Sequence, residues 1–256
     1  MHNIKYYIFV IITLTSCKDK IQVALQNDEQ PIVIEGLLTN EPIQSIDIHR
    51  SGDFYELDAY EAINDATVQI KDSTGLTILL TLDQNGHYES VAWTAQIGQE
   101  YNLTIQHKEE TYTAKTILPK QIKIKEVDVK INNDSSAYIR CKFEDPIGEQ
   151  NFYRLRFYRN GDIQESRLYV LRDLNFEGKT KIYNFKREAI AYGDTIVVEL
   201  WHIPKHTYTY YSQLKEVIEQ GLLSSVPYNP ESNIKGGALG YWGAASIDRD
   251  TLILKL

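Results

Sequence analysis

The sequence predicts a mainly β protein: two consecutive β-sandwich units, Ig-like or transthyretin-like, with one short amphipathic helix near residues 207–220. Three observations carry that expectation. Apolar and polar residues alternate with a period of two along most of the chain, as they do in strands that bury one face. The chain has 18 tyrosines against one methionine, and β-branched residues recur throughout, a composition suited to sheet. Clusters of turn formers separate the alternating runs at the short spacing of a sandwich.

At the N-terminus, MHNIKYYIFVIITLTSC starts weakly basic at Lys5, continues through an apolar core from Tyr6 to Leu14, and ends in small residues before Cys17. The apolar run is far short of the roughly 20 residues that span a bilayer, so residues 1–16 read as a signal peptide. Leu14, Thr15, Ser16 and Cys17 resemble a bacterial lipobox. There the first three positions are read by the signal peptidase, and the cysteine thiol receives diacylglycerol before cleavage. Cys17 is therefore the expected lipidation site, followed by a polar tether over residues 17–30. Its Lys18-Asp19-Lys20 start is similar to the surface-export signals of Bacteroidota lipoproteins. Lipid supplies membrane affinity in such a chain. A formal charge of -8 supplies no basic face for a nucleic-acid backbone or an anionic membrane.

With Cys17 acylated, Cys141 has no intramolecular partner. It alternates in phase with Ile139 and Phe143, which places it in a core and not at a reactive site.

The first unit, residues 31–120, contains the strands PIVIEGLL, QSIDIH, ATVQIKD, LTILLTLD, HYESVAW, YNLTIQHK and TYTAKTIL. Asp83-Gln84-Asn85-Gly86 is a hairpin turn whose last two residues favour positive φ. Asp53, Glu56, Asp58 and Glu61 fall in an irregular stretch that lacks the spacing of a calcium loop, and they read as a solvated loop. Leu118-Pro119-Lys120 ends the unit, since proline cannot continue a ladder.

The second unit, residues 121–256, continues with IKIKEVDVKI, AYIRCKFE, NFYRLRFYR, SRLYVLR, TKIYNFKR, DTIVVELWHI and TLILKL. An Asn160-Gly161 turn closes NFYRLRFYRNGD, a run expected to expose Arg154, Arg156 or Arg159. TYTYYSQLKEVIEQG puts Tyr210, Leu214, Val217 and Ile218 on one helical face and stops at Gly221. Tyr208, Tyr210 and Tyr211 read equally well as an exposed stacking surface or as core. His202 and His206 flank Pro204 without an H-E-x-x-H pattern and read as unrelated surface residues.

NIKGGALGYWGAAS, from Asn233 to Ser246, is rich in glycine but fits neither G-x-G-x-x-G nor a P-loop. Its glycines are expected to let a connection lie close against the sandwich, with Tyr241 and Trp242 anchoring it before a strand–turn–strand, ASIDRDTLILKL. Tyr241 and Trp242 are also the candidate partner or ligand contacts. No G-x-S-x-G elbow, zinc motif or P-loop occurs, so neither catalysis, metal nor cofactor is expected.

The lipobox, VIEGLLTNEP, ATVQIKDSTG followed by NGHYES, TAKTILPK, DPIGEQNFYRLRFYRNG and SNIKGGALGYWGAAS together resemble one family, an outer-membrane lipoprotein family of the Bacteroidota known as domain-of-unknown-function family 4249. The first unit also looks like the carboxypeptidase-regulatory or transthyretin-like sandwiches. Family members are typically encoded beside SusC-like TonB-dependent receptors. The resemblance thus implies a lipid-anchored outer-membrane accessory or binding protein, at the cell surface or on the periplasmic face, that assists capture of an extracellular ligand. A structural or assembly lipoprotein of an envelope machine is the alternative, and a surface hydrolase the third reading.

Overall fold

The computed structural model describes residues 30–51, 61–84, 86–132, 137–164, 167–186, 188–220 and 228–255. The signal peptide, the lipobox with Leu14, Thr15, Ser16 and Cys17, the tether before Gln30, and Asp53, Glu56, Asp58, Asn85 and Gly221 lie outside them.

The fold is mainly β with one helix. The elements are β1 (Ile32–Thr39), β2 (Ser45–Arg50), β3 (Thr67–Asp72), β4 (Thr77–Leu82), β5 (Tyr88–Ser90), β6 (Glu100–His107), β7 (Glu110–Ile117) and β8 (Ile124–Ile131). They continue with β9 (Ala137–Glu144), β10 (Phe152–Arg159), β11 (Asp162–Ile163), β12 (Tyr169–Arg172), β13 (Thr180–Phe185), β14 (Thr195–Ile203), α1 (Lys205–Gln220) and β15 (Leu239–Ile253). One continuous sheet runs β11-β10-β14-β15-β1-β2-β5-β4-β3-β6-β7, with β12 also paired to β10, and a second sheet runs β13-β9-β8.

From β15 to β7 the long sheet curls back on itself. Thr113 of β7 and Lys235, just ahead of β15, exchange both backbone hydrogen bonds at 3.1 and 2.8 Å. The alternation seen in the sequence turns Ile34, Ile48, Ile70, Leu103 and Ile105 into this first core. The second core lies between β13-β9-β8 and the β10–β14 part of the long sheet. There Ile139, Cys141 and Phe143 meet Leu155, Phe157, Val198 and Leu200. Cys141 has no exposed surface, and burial pushes its thiol pKa up to about 12. That is the inert core thiol its phase implied.

The two units share β15. Its first half, Leu239–Ala245, pairs in parallel with Val33–Thr39 of β1. Its second half, Ser246–Ile253, pairs antiparallel with β14. From Leu239 the glycine-rich motif is strand and not connection, while Asn233–Ala238 with Gly236 and Gly237 leads into it; the expected turn within ASIDRDTLILKL is absent because one strand passes through both cores. At Gly240 (φ +87°) an added Cβ would sit 2.1 Å from the carbonyl oxygen of Ile34. At Gly243 it would sit 2.5 Å from Oγ1 of Thr207 in α1. The backbone of β15 approaches its neighbours too closely for a side chain at either place.

A strand that changes partners midway leaves half of each edge unpaired, and buried backbone groups must find substitutes. Two asparagines supply them. Beyond the end of β1, Ile247 N–H donates to Asn40 Oδ1 at 2.7 Å, while Asn40 Nδ2 donates to Ile247 O at 3.1 Å. On the opposite edge, Trp242 N–H donates to Asn233 Oδ1 at 3.0 Å and Asn233 Nδ2 donates to Trp242 O at 2.8 Å. Each amide side chain stands in for one residue of a missing strand.

Helix α1 begins at Lys205, two residues earlier than its periodicity implied, because the carbonyl of Pro204 accepts the Tyr208 N–H at 3.0 Å. Proline has no N–H to lose at that boundary. The buried face is Thr207, Tyr210, Tyr211 and, in part, Leu214, whereas Ile218 is 51% exposed. The seat on Gly243 and Ala244 takes the small Thr207; Ile218 lies on the same face about three turns further on, where the end of the helix is exposed.

Gly240→Ala is expected to lower unfolding stability by about 3 kcal/mol or more, since backbone strain of about 1–2 kcal/mol adds to displacement of β1. Gly75→Ala, where φ is +97° but the surrounding space is open, should cost only the strain. Urea denaturation of the two variants separates these terms. Asn40→Ala should cost about 1–3 kcal/mol by orphaning the buried Ile247 N–H, the Ile247 carbonyl still accepting from Gln121 Nε2, read by the same method.

Candidate functional site

The outer face of the long sheet is covered by α1 near β15 and open further along. The open part is a groove of ≈ 540 Å³ whose lining includes Val33, Glu35, Asp47, His49, His87 and Tyr210. Strand register builds its floor. Tyr241 of β15 is opposite Glu35 of β1, which is opposite Asp47 of β2. His87, preceding β5, hydrogen-bonds Asp47 through Nδ1. One row of side chains thus crosses four neighbouring segments of backbone.

β4 and β5 pair antiparallel as far as Leu82 and Tyr88, which brings His87 next to Asp83. Asp83 N–H donates to His87 O at 2.8 Å, and His87 N–H donates to Asp83 Oδ1 at 2.8 Å. The hydrogen bond and charge of Asp47 raise the His87 pKa above its ordinary value near 6.5. His49 Nε2 lies 3.9 Å from Glu35 Oε2, and its Nδ1 is 3.0 Å from Arg50 O. Both imidazoles are therefore held by fixed partners within a groove that pairs acids with bases.

Helix α1 closes one side through aromatic contacts. Tyr210 donates to Glu35 Oε1 at 3.4 Å and stacks on Tyr241 with ring centroids 4.3 Å apart. Tyr211 and Tyr241 share a hydrogen bond between their hydroxyls, 2.5 Å apart. Burial raises the pKa of the Tyr210 and Tyr241 hydroxyls, so both remain neutral. Tyr210 and Tyr211 are buried, which settles their open reading as packing; Tyr208 packs on Phe152 at 4.8 Å. Trp242 has no exposed surface and belongs to the first core. It is therefore removed from the contact candidates, while Tyr241 is half-buried beneath α1 at the groove's edge.

Arg154 also departs from expectation. It lies on the outer face of β10, but α1 covers it to 7% exposure. Its guanidinium sits 4.1 Å from the Tyr211 ring centroid and 4.8 Å from that of Trp201. Nearby, buried Glu199 accepts from Arg249 Nε at 2.6 Å and Trp201 Nε1 at 2.8 Å. A sequence pattern shows that Arg154 and Glu199 share an outward face, but not that a helix lies over it.

His202 is buried and His206 half-buried, and both are linked to the chain crossing and not free on the surface. His202 Nδ1–H donates to Lys120 O at 2.6 Å. His206 Nε2 lies 3.1 Å from Thr116 Oγ1, and the ring also hydrogen-bonds the Trp242 backbone. Burial lowers both pKa values. A second groove, ≈ 520 Å³, lies beside Gln30 and includes Arg50, His107, Tyr112, Gly236 and Gly237 in its lining. A Cβ at Gly236 would lie 2.7 Å from the Thr111 carbonyl oxygen, and such a group repels anions instead of cradling them. Glu61 is 3.6 Å from Arg50. No group of three or more metal-ligating side chains occurs among the described residues.

The model of the domain of unknown function DUF4249 matches residues 18–251. This chain belongs to the DUF4249 family. No curated protein matches the DUF4249 chain. Solved structures similar to it include a two-domain fibronectin type III segment from chicken tenascin, 13% identical, covering 68% of this chain and 91% of that one with a TM-score of 0.24. A DUF4785 family protein from Legionella pneumophila is 12% identical, covers 66% and 51%, and has a TM-score of 0.23. A bacterial ice-binding adhesin is 10% identical, covers 89% and 66%, and has a TM-score of 0.18. Likeness at this level transfers neither fold nor activity to the DUF4249 chain.

The histidines give opposite pH signatures. His202 and His206, with lowered pKa values, contribute stability that is present above about pH 6.5 and lost as pH falls below it. His87, with a raised pKa, contributes stability that is complete below about 6.5 and lost as pH rises through its folded pKa. The urea midpoint of His206→Gln should therefore fall less than wild type between pH 7 and 5. That of His87→Gln should fall more steeply over pH 8 to 6.

Proposed function

We propose that this DUF4249 protein is a non-catalytic, lipid-anchored accessory protein of the outer membrane. It works beside a TonB-dependent receptor of a Bacteroidota cell and helps to capture an extracellular ligand. The observation that carries the binding role is the polar groove, whose carboxylates and imidazoles sit on the sheet beside the part that α1 covers, with the Tyr210 hydroxyl reaching them from the helix. A site built on paired strands keeps its polar groups in fixed geometry before a ligand arrives, which limits the ordering cost of binding. The lipobox from Leu14 to Cys17 supports the anchor, and the polar tether before Pro31 supports display away from the bilayer. Family membership supports the receptor as partner through the company such lipoproteins keep. The His87–Asp47 and His49–Glu35 pairs orient the groove's bases against its acids and support recognition more than turnover.

Affinity purification of the tagged chain from outer membranes of its own cell is expected to recover a β-barrel receptor. Recovery of the chain without one overturns the accessory role. An envelope or secretion defect on deletion, in place of a nutrient-specific growth defect, would favour the assembly role. Cys17→Ala should abolish incorporation of labelled palmitate and shift the protein from the membrane to the soluble fraction.

A further inference from the structure

Only 7% of Arg154 is exposed, and its Nε is buried with no hydrogen-bond partner. The rings of Tyr211 and Trp201 lie 4.1 and 4.8 Å from the guanidinium. They answer part of its charge but supply no oxygen for its N–H donors. Glu199, the acid on the same face, is taken by others. Arg249 Nε donates to one of its oxygens at 2.6 Å and Trp201 Nε1 to the other at 2.8 Å, with Arg156 4.0 Å away. Among the described residues no carboxylate forms an ion pair with Arg154. A buried charge left in this way is costly, and buried polar groups in folded proteins find their partner in protein, water or an ion.

The free edge of β10 pairs with β12 as far as Leu155 and with β11 from Tyr158 onward. At the gap between these pairings is a cavity of ≈ 10 Å³ whose lining includes Arg154, Arg156, Gln164, Arg167 and Leu168. Three arginines line it, and no acid occurs among its described lining residues. In a chain of formal charge -8 this is a local concentration of positive charge. The volume suits about one water-sized atom. Carboxylate, sulfate and phosphate groups, each of several heavy atoms, are too large. A water molecule fits but brings no charge, whereas a monoatomic anion of similar size brings the one that is missing.

We infer that this cavity binds a single halide ion, chloride in ordinary surroundings, held by the Arg154 guanidinium with Arg156 and Arg167 around it. The site is independent of the groove on β1 and β2 and of any membrane partner. Arg154 also stacks on Tyr211 of α1, so the ion steadies a residue against which the helix is seated.

The test follows the thermal midpoint of the purified mature chain at constant pH and ionic strength while chloride replaces gluconate, an anion too large for the cavity. The midpoint should rise, saturably, by roughly 2–4 °C, and bromide should act as chloride does. Arg154→Met removes the charge and keeps an unbranched apolar stem. Its midpoint in gluconate should not fall below wild type, and its rise with chloride should be lost, which separates a missing ion from a missing fold. Arg167→Gln should raise the half-saturating chloride concentration by about threefold or more. In crystals of the wild-type chain grown with bromide, an anomalous peak should lie against the Arg154 guanidinium.

A wild-type midpoint indifferent to chloride, a rise that Arg154→Met keeps in full, or water alone in the cavity of bromide-grown crystals overturns the inference.

Discussion

Everything in this fold depends on β15 changing partners. A strand paired with β1 over Leu239–Ala245 and with β14 over Ser246–Ile253 ties the first core, the second core and the helix seat to one stretch of backbone. The arrangement requires two kinds of concession. Glycine at 240 and 243 permits the approach to Ile34 and Thr207, and the amides of Asn40 and Asn233 complete the hydrogen bonding that the missing half-strands leave open. An unmade backbone hydrogen bond inside such a core costs about 1–3 kcal/mol, a large fraction of the stability of an ordinary domain. These asparagines are thus structural in the same sense as the core residues they flank.

The same strand sets the position of α1. With Gly243 lacking a side chain, Thr207 can sit against the sheet and accept the Ala244 N–H at 3.3 Å. That contact places Tyr210 over Tyr241 and Tyr211 over Arg154. An arginine buried to this degree is ordinarily costly unless its charge is answered. Here the rings of Tyr211 and Trp201 present their negative faces to it. From Arg154 through Tyr211, Tyr241 and Tyr210 to Glu35, polar and aromatic contacts run without interruption beneath the helix. The second unit's outer face is thereby connected to the groove of the first.

Local features were legible in the sequence because local physics decides them. The alternating runs became strands, the phase of Cys141 with Ile139 and Phe143 placed it in a core, and Asn160-Gly161 turned with both φ values positive. What escaped depended on which surface another element covers. Arg154 sits in phase with outward residues, and a period of two cannot distinguish an outward face that meets water from one that meets a helix. Ile218 belongs to the apolar stripe of α1, yet it lies about three turns beyond Thr207, at the exposed end of the helix. His202 and His206 appeared isolated because their partners, Lys120 and Thr116, lie more than 80 residues away in the chain. The groove was hidden for a similar reason. Glu35 and Asp47 are unremarkable in IVIEGLLT and SIDIHR, and only the register of β1 with β2 sets them side by side.

The groove follows from the same geometry. Helix α1 is fixed by Thr207 and Tyr210 at β15, and 16 residues at about 1.5 Å each run it toward β10 and β12 instead of across β2. Among the described residues no helix lies over the outer face of β1 and β2 beyond Glu35. An apolar face there would be exposed, and Glu35, Asp47 and His49 at the outward positions avoid that cost. Those polar groups stand on strands whose inner faces carry Ile34 and Ile48 in the first core, so they cannot shift without disturbing it. The floor is therefore rigid and polar for structural reasons before any ligand is considered. A rigid floor that holds Glu35 and Asp47 beside His49 and His87 is a preformed polar surface.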